Sequence, residues 1–166
     1  MTNVDYSVLT TSHPYKPLTK RLKTHAGRNK FGRITVRHQG GGNKKLYRVV
    51  DFKQDRFDVP AKVKTLEYDP YRTAFISLIE YTDGEKRYIL APQGIAVDST
   101  IIVSENAPFT LGNRLKLKNV PVGSQIYNIE MKPGEGARIA RSAGTYAEVL
   151  ANDNGYTDVK LSSGEV

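Results

Sequence analysis

Short runs of apolar residues, bounded by turn residues, predict β-strands from Leu46 to the end of the chain. No window of twelve residues has a helical apolar stripe. The dipeptide Asp83-Gly84 predicts a hairpin between two of the runs, and residues 152–155 predict a turn between the last two. Eight or nine short strands indicate an all-β body of small barrels rather than a βαβ sheet. The runs are residues 46–52, 61–68, 74–81, 86–91, 100–103, 114–117, 125–130, 146–151 and 156–161.

The pattern divides the chain into three parts. Residues 1–43 have no sustained period and are interrupted by Pro and Gly, so we expect a basic extended arm that becomes ordered only against a partner. Residues 44–118 have the right size for a five-stranded barrel of the OB type. The turn at 119–123 begins a third part, residues 119–166, which supplies too few strands to close a second barrel.

The net charge of +8 is concentrated in one segment. Residues 16–53 contain twelve Lys or Arg and one acid, Asp51, whereas the remainder has thirteen basic and sixteen acidic residues. A near-neutral body with a cationic arm indicates a polyanionic partner, and a pI near 9.6 fits nucleic acid, with an anionic membrane surface as the open alternative.

Several classes of function lack the residues they need. The chain has no cysteine, and its three histidines all lie in the arm without carboxylates at metal-ligand spacing. No nucleophile, base and orienting group form a recognisable set. No apolar stretch is long enough for a membrane helix. We therefore expect no catalytic residue, no metal, no cofactor and no membrane.

The arm carries the first group of candidate RNA-binding residues. Its cations recur every few residues, which suits a chain passing between phosphates, and three consecutive glycines allow a close approach to another backbone. A flexible, solvated basic linker is the alternative. The candidates are Arg28, Lys30, Arg33, Arg37, His38, Gly40, Gly41, Gly42, Lys44 and Lys45.

Two loops supply the other candidates. Asp69-Pro70 starts a turn that exposes Arg72 to phosphate or a base, although Asp69 is equally able to cap the turn and pair with Arg72. Residues 131–145 form a loop of Gly and small residues around Arg138 and Arg141. This loop lacks the Lys-Ser/Thr ending of a nucleotide-triphosphate loop.

Eight motifs occur in order along the chain, and together they are specific where each alone is not. They are AGRN (26–29), GRITVRH (32–38), GGG (40–42), YRVVDFK (47–53), LEYDP (66–70), RYILAP (87–92), NVPVG (119–123) and ARSAGT (140–145). The set resembles the bacterial type of the universal large-subunit ribosomal protein L2 family, from Pro17 to Glu165.

The resemblance implies a basic arm, an OB-fold domain and then an SH3-like barrel. It implies a primary binder of large-subunit ribosomal RNA, near the peptidyl-transferase region, that supports subunit association and tRNA binding among neighbouring ribosomal proteins. Arg72 and Arg141 match family arginines that contact RNA, and we expect their removal to weaken binding without unfolding the barrel. Residues 133–136 match the family's glycine-rich loop. The implied location is a cytoplasmic ribosome, or alternatively an organellar one.

The sequence departs from the family in two places. Family chains continue through the rest of the SH3-like barrel into a basic, glycine-rich tail with a histidine discussed for peptide-bond formation, and no histidine here inherits that role. A fragment, a truncated reading frame, or a protein split so that a separate chain carries the C-terminal half are the possible origins. Asn43 also replaces a common basic or imidazole group after the glycines.

Two rival functions stay open. A free-standing single-strand nucleic-acid module would need aromatic residues on one barrel face. Six residues serve that role or the core equally well: Tyr47, Phe52, Tyr68, Phe75, Tyr81 and Tyr88. An enzyme is the other rival, for which no motif argues.

Overall fold

The computed structural model describes residues 4–153 and 155–166, and its regular secondary structure is almost entirely β, which confirms the predicted fold class. Two short 3-10 helices, Lys16–Leu18 and Leu117–Asn119, are its helical segments in those ranges. The strands are β1 Thr19–Lys20, β2 Tyr47–Arg48, β3 Ala61–Glu67, β4 Ile76–Tyr81, β5 Lys86–Leu90, β6 Thr100–Ile101, β7 Gln125–Ile126, β8 Ala147–Asp153 and β9 Tyr156–Leu161.

The largest sheet is antiparallel with the strand order β5-β4-β3-β6. The predicted hairpin joins β4 to β5, and Gly84 takes a φ of 86° while its N–H donates to the carbonyl of Tyr81. A register shift between Val63 and Thr65 marks a bulge in β3, which increases the twist and helps the sheet to curl.

Both faces of β4 and β5 carry buried side chains, which explains why apolar residues occur on both faces rather than on one. On one face, Ile79 and Ile89 lie in a core shared with Ala61, Val63, Tyr81, Ile95 and Ile101. On the other face, a second core consists of Val50, Ile76, Leu78, Tyr88 and Leu90. Side chains from distant parts of the chain cover this second core: Tyr15, Leu18, Phe52, Ala74 and Tyr127.

The base of the arm is folded onto this second core. Strand β1 pairs with β2, and the Tyr15 N–H donates a hydrogen bond of 2.7 Å to the Tyr88 hydroxyl. That hydroxyl in turn donates to the buried carboxylate of Glu67 at 2.7 Å. The prediction that residues 1–43 become ordered only against a partner did not foresee this contact. Two apolar side chains, Tyr15 and Leu18, are too few to produce a periodic pattern in the sequence.

The second, smaller sheet has the order β7-β8-β9, and within the described ranges β9 pairs with β8 alone. Its core contains Ala147 and Val149. The predicted strand at 125–130 ends early, because Asn128 adopts a φ of 56° and its N–H turns to the carbonyl of Ala140. The turn predicted at 152–155 includes Asn154, which lies outside the described residues.

One predicted strand is wrong. Residues 114–117 make a single bridge, between Val103 and Arg114, and then enter the 3-10 helix that begins at Leu117. The Ile102 N–H donates to the side-chain oxygen of Asn113. In a regular strand pair, this N–H would donate to a backbone carbonyl of the neighbouring strand instead.

We predict that Tyr88→Phe destabilises the fold by about 1–3 kcal/mol. The change leaves the buried Glu67 carboxylate without one of its two side-chain donors and the Tyr15 N–H without its acceptor. Urea denaturation measures the loss. Tyr81→Phe is the control, because the hydroxyl of that buried ring makes no hydrogen bond within the described residues. Equal stability of the two variants would contradict the prediction.

Candidate nucleic-acid interface

Residues 26–40 of the arm form a closed loop. The carbonyl of Gly27 accepts hydrogen bonds from the N–H groups of Thr35, at 2.9 Å, and Val36, at 3.1 Å. A side chain on Gly27 would place its Cβ 2.0 Å from the Val36 oxygen, and Gly27 takes a φ of 70°, so only glycine fits. The loop closes where Gly40 meets Ala26, and a Cβ on Gly40 would lie 2.8 Å from the Cβ of Ala26.

All the predicted arm residues are exposed, and the structure brings them onto or next to this loop. They are Arg28, Lys30, Arg33, Arg37, His38, Gly40, Gly41, Gly42, Lys44 and Lys45. Gly41 and Gly42 also take positive φ and face open space, so another molecule can come close to their backbone.

Among the described residues, the arm cations have no acidic partner, whereas most Lys and Arg residues of the body do. Within residues 4–153 and 155–166, no Lys or Arg between positions 16 and 45 forms an ion pair. In the body, the single guanidinium of Arg87 contacts three acids: Asp51 at 2.8 Å, Asp55 at 2.5 Å and Glu85 at 2.6 Å. Its guanidinium lowers the pKa of Asp55. Much of the positive charge of the body is therefore neutralised internally, whereas that of the arm is left available.

Arg72 is held inside its own loop. Its Nε lies 2.6 Å from Oδ2 of Asp69, which is fully buried, while Oδ1 of Asp69 accepts the N–H of Tyr71 at 2.9 Å. This is the capping and pairing arrangement considered as the alternative for Arg72. The charge of Arg72 is therefore already balanced before any ligand binds.

Arg72 and Arg141 nevertheless meet at one aromatic ring. The Cζ atoms of Arg72 and Arg141 lie 5.4 Å and 4.8 Å from the centroid of Phe52. The two loops are also joined directly, because the N–H of Ala143 donates to Oγ1 of Thr73 at 3.2 Å. The fold thus brings together two loops that are far apart in sequence.

The end of the arm extends this cluster. The ring of Tyr71 lies 5.5 Å from that of Tyr47, and Nζ of Lys45 is 6.0 Å from the centroid of Tyr71. We name this set the Phe52 surface: Lys45, Tyr47, Phe52, Tyr71, Arg72 and Arg141. Sequence reasoning found its cations, but no spacing signal shows that Phe52 joins the two loops.

The glycine-rich loop around 132–136 is closed around an internal anion. The carboxylate of Glu130 accepts the N–H groups of Gly134 and Gly136, both at 3.0 Å, and pairs with Arg114 at 2.8 Å. These amides are therefore not free to bind phosphate. Arg138 projects from the same loop, with its side chain 68% exposed and 3.6 Å from Glu135.

A cleft of about 590 Å³ lies beside the Phe52 surface, between residues 49–53, the start of β5 and the loop at 135–141. Apolar atoms of Leu18, Val50 and Ala137 contribute to its lining. The basic residues that line it are Lys53, Lys86, Arg87, Arg138 and Arg141. Of these, Arg87, Lys86 and Arg138 pair with acids, so the available charge belongs mainly to Lys53 and Arg141.

Among the residues that the structure describes, no group of three His, Asp or Glu side chains is placed to hold a metal ion. No helix in the same ranges has the length and apolar character to cross a membrane.

Comparison with known proteins supplies the family. The family domain described as "Ribosomal Proteins L2, RNA binding N-terminal domain" matches residues 15–103, and "Ribosomal Proteins L2, C-terminal domain" matches residues 110–166. The chain is 57% identical over 163 residues to the large ribosomal subunit protein uL2 of Hyphomonas neptunium, covering 98% of this chain and 59% of that relative. It is 53% identical to the protein of the same name from Roseobacter denitrificans, covering 98% of this chain and 58% of that relative.

This chain thus spans somewhat less than three fifths of the length of these curated relatives. Both relatives are named as ribosomal proteins and not as enzymes. Two family domains cover nearly all of the chain and agree with the ordered motifs, so the chain belongs to the L2 family of large-subunit ribosomal proteins.

Proposed function

We propose that this chain binds large-subunit ribosomal RNA as a structural component of the large ribosomal subunit, and that it does so without catalysis. The observation that carries the proposal is the set of exposed arm cations, none of which has an acidic partner in the described residues. Cations around a closed loop point in several directions, and folded RNA can place phosphates on several sides of such a loop at once.

The arm would provide most of the affinity. Each phosphate neutralised by an arm cation releases condensed counterions, which favours binding at low salt. Because residues 26–40 are already closed by backbone hydrogen bonds, the cations on this loop lose less conformational entropy on binding than those of a flexible chain.

The Phe52 surface would provide a second, rigid contact. Arg141 is exposed and makes a single hydrogen bond in the described ranges, to the carbonyl of Ala137 at 3.4 Å, so its charge is available to phosphate. Arg72 is committed to Asp69. We therefore assign Arg141 the direct contact and Arg72 the support of the ring and the loop.

Family membership supports a finer proposal. We propose residues 1–43 as the RNA-binding arm, 44–118 as the OB-fold RNA-binding domain and 119–166 as part of an SH3-like barrel. We also propose that the chain supports subunit association, tRNA binding and the peptidyl-transferase region, in contact with neighbouring ribosomal proteins. A cytoplasmic ribosome is the proposed location, with an organellar ribosome as the alternative, and a separate chain with the C-terminal half is a further candidate partner.

The single-strand rival is disfavoured by where its aromatic residues lie. Tyr81 and Tyr88 are core residues on opposite faces of the central sheet. Phe52 contacts two arginines, and Tyr68 packs edge-on against Tyr6 with centroids 5.9 Å apart. The six rings therefore do not form one open face for stacking.

The salt dependence of RNA binding tests the proposal. In the triple variant Arg28→Ala, Arg33→Ala and Arg37→Ala, we expect the slope of log affinity against log salt to fall by roughly 2–3, about 0.7–0.9 for each lost phosphate contact. Filter binding to a large-subunit rRNA transcript at several salt concentrations measures the slope. The matched control removes three exposed body lysines, Lys62, Lys118 and Lys160. Equal slopes for the two triple variants would sink the assignment.

The two loop arginines are expected to behave differently. Arg141→Ala should weaken RNA binding and change the free energy of unfolding by less than about 0.5 kcal/mol, as at other exposed surface positions. Arg72→Ala should cost about 3 kcal/mol or more of stability, because it leaves Asp69 charged, buried and unpaired. The sequence-based expectation of an intact fold then applies to Arg141 alone. Thermal unfolding beside RNA titration distinguishes the two effects, and a fully stable Arg72→Ala variant would contradict it.

Glu130 should act on RNA binding through the loop that it holds. Glu130→Gln removes the charge that pairs with Arg114 and weakens the acceptor for two loop amides, so the loop backbone that leads to Arg138 and Arg141 is held less firmly. We expect weaker RNA binding although a negative charge has been removed. Glu135→Gln is the control, since this exposed acid of the same loop has only long ion pairs of 3.6 and 3.9 Å. Stronger binding in both variants, as bulk charge alone predicts, would be the contrary result.

A further inference from the structure

We infer that Phe31 is a stacking platform for an unpaired base of the RNA. This inference rests on the proposed function and adds to it a residue that reads the RNA through a base rather than through phosphate.

Phe31 lies at a turn of the closed loop where the backbone on both sides is fixed. Oδ1 of Asn29 accepts the N–H of Phe31 at 2.9 Å and that of Arg33 at 3.1 Å. The N–H of Gly32 donates to the Asn29 carbonyl at 3.0 Å, and Arg28 bridges to Ile34. The ring is therefore presented from an ordered turn, yet it is 76% exposed.

The charges around the ring decide which partner fits it. Nζ of Lys30 lies 4.9 Å from the centroid of Phe31, and Arg28 and Arg33 flank the turn. No acid occurs between Lys16 and Val50. An apolar protein surface placed on this ring would desolvate nearby cations without balancing them. A nucleotide offers a base face for the ring and phosphates for the cations, so it satisfies both.

Phe31→Ala tests the inference on the whole chain, with a large-subunit rRNA transcript as the probe. We expect a loss of affinity of roughly 5- to 150-fold, the range for removal of one base–aromatic stack. The salt slope should stay at the parental value, because the ring touches no phosphate. Phe31→Tyr should restore most of the affinity, since it keeps the aromatic face.

The absence of tryptophan from the chain gives a second, spectroscopic readout. Phe31→Trp creates a single-tryptophan protein whose emission should be quenched when the transcript binds. Phe109 is the matched control, because it is 53% exposed and lies on the body. Phe109→Ala should bind RNA like the parent, and the emission of Phe109→Trp should not respond.

The outcomes separate this inference from the proposed function. Parental affinity of Phe31→Ala, with the steep salt slope intact, would overturn the stacking role and leave the RNA-binding proposal standing. Equal quenching of Phe31→Trp by a fully paired RNA duplex, or by anionic lipid vesicles in place of RNA, would also overturn it. A parent chain that fails to bind the transcript at low salt would overturn both.

Discussion

The architecture depends on the need to bury two opposite faces of the same pair of strands. β4 and β5 carry apolar side chains on both sides, so the curled sheet buries those of one face and other parts of the chain must cover those of the second. Tyr15 and Leu18 cover it from the arm, and Tyr127 covers it from the second sheet unit. Burial raises the pKa of the Tyr127 phenol, whose hydroxyl donates to the Leu90 carbonyl at 3.3 Å. One apolar surface therefore positions both the arm and the loops that carry Arg138 and Arg141.

Electrostatics divides the molecule in a complementary way. Acids of the body hold the body's own arginines, as in the contacts of Arg87 and the pair of Arg114 with Glu130. Even the glycine-rich loop, whose amides face inward, is filled by a carboxylate of the protein. Positive charge is left unbalanced mainly where no acid exists in the sequence, on the arm. The long-range field of the molecule thus has its source in one segment, and that is where a polyanion would first be attracted.

Much of this was predictable because the signals are local. Apolar runs and turn residues predicted the bounds of β3, β4, β5, β8 and β9 to within two residues. Asp83-Gly84 predicted the hairpin that joins β4 to β5. The cationic arm was visible from composition alone. Residues 114–117 failed as a strand, because a side-chain hydrogen bond of Asn113 competes with backbone pairing there.

The remaining features depend on tertiary packing or on which of two local contacts forms, and a linear pattern encodes neither. The loop at 26–40 is closed by carbonyl groups that accept hydrogen bonds from residues further along the chain. The meeting of Arg72 and Arg141 at Phe52 follows from how their two loops contact each other, and not from any spacing. Whether Asp69 pairs with Arg72 was likewise undecidable from a turn motif, since burial of the carboxylate makes that pair favourable.

The tight fit of Gly27 against Val36 also bears on the thermodynamics of association. A segment that folds only upon contact buries much new apolar surface, and its association shows a large negative heat-capacity change. Here the loop at 26–40 is already formed in the free protein, so its association with a partner requires no folding of that loop. The heat-capacity change of association measured by calorimetry should then be small, because counterion release rather than burial of new apolar surface accompanies the binding of this loop.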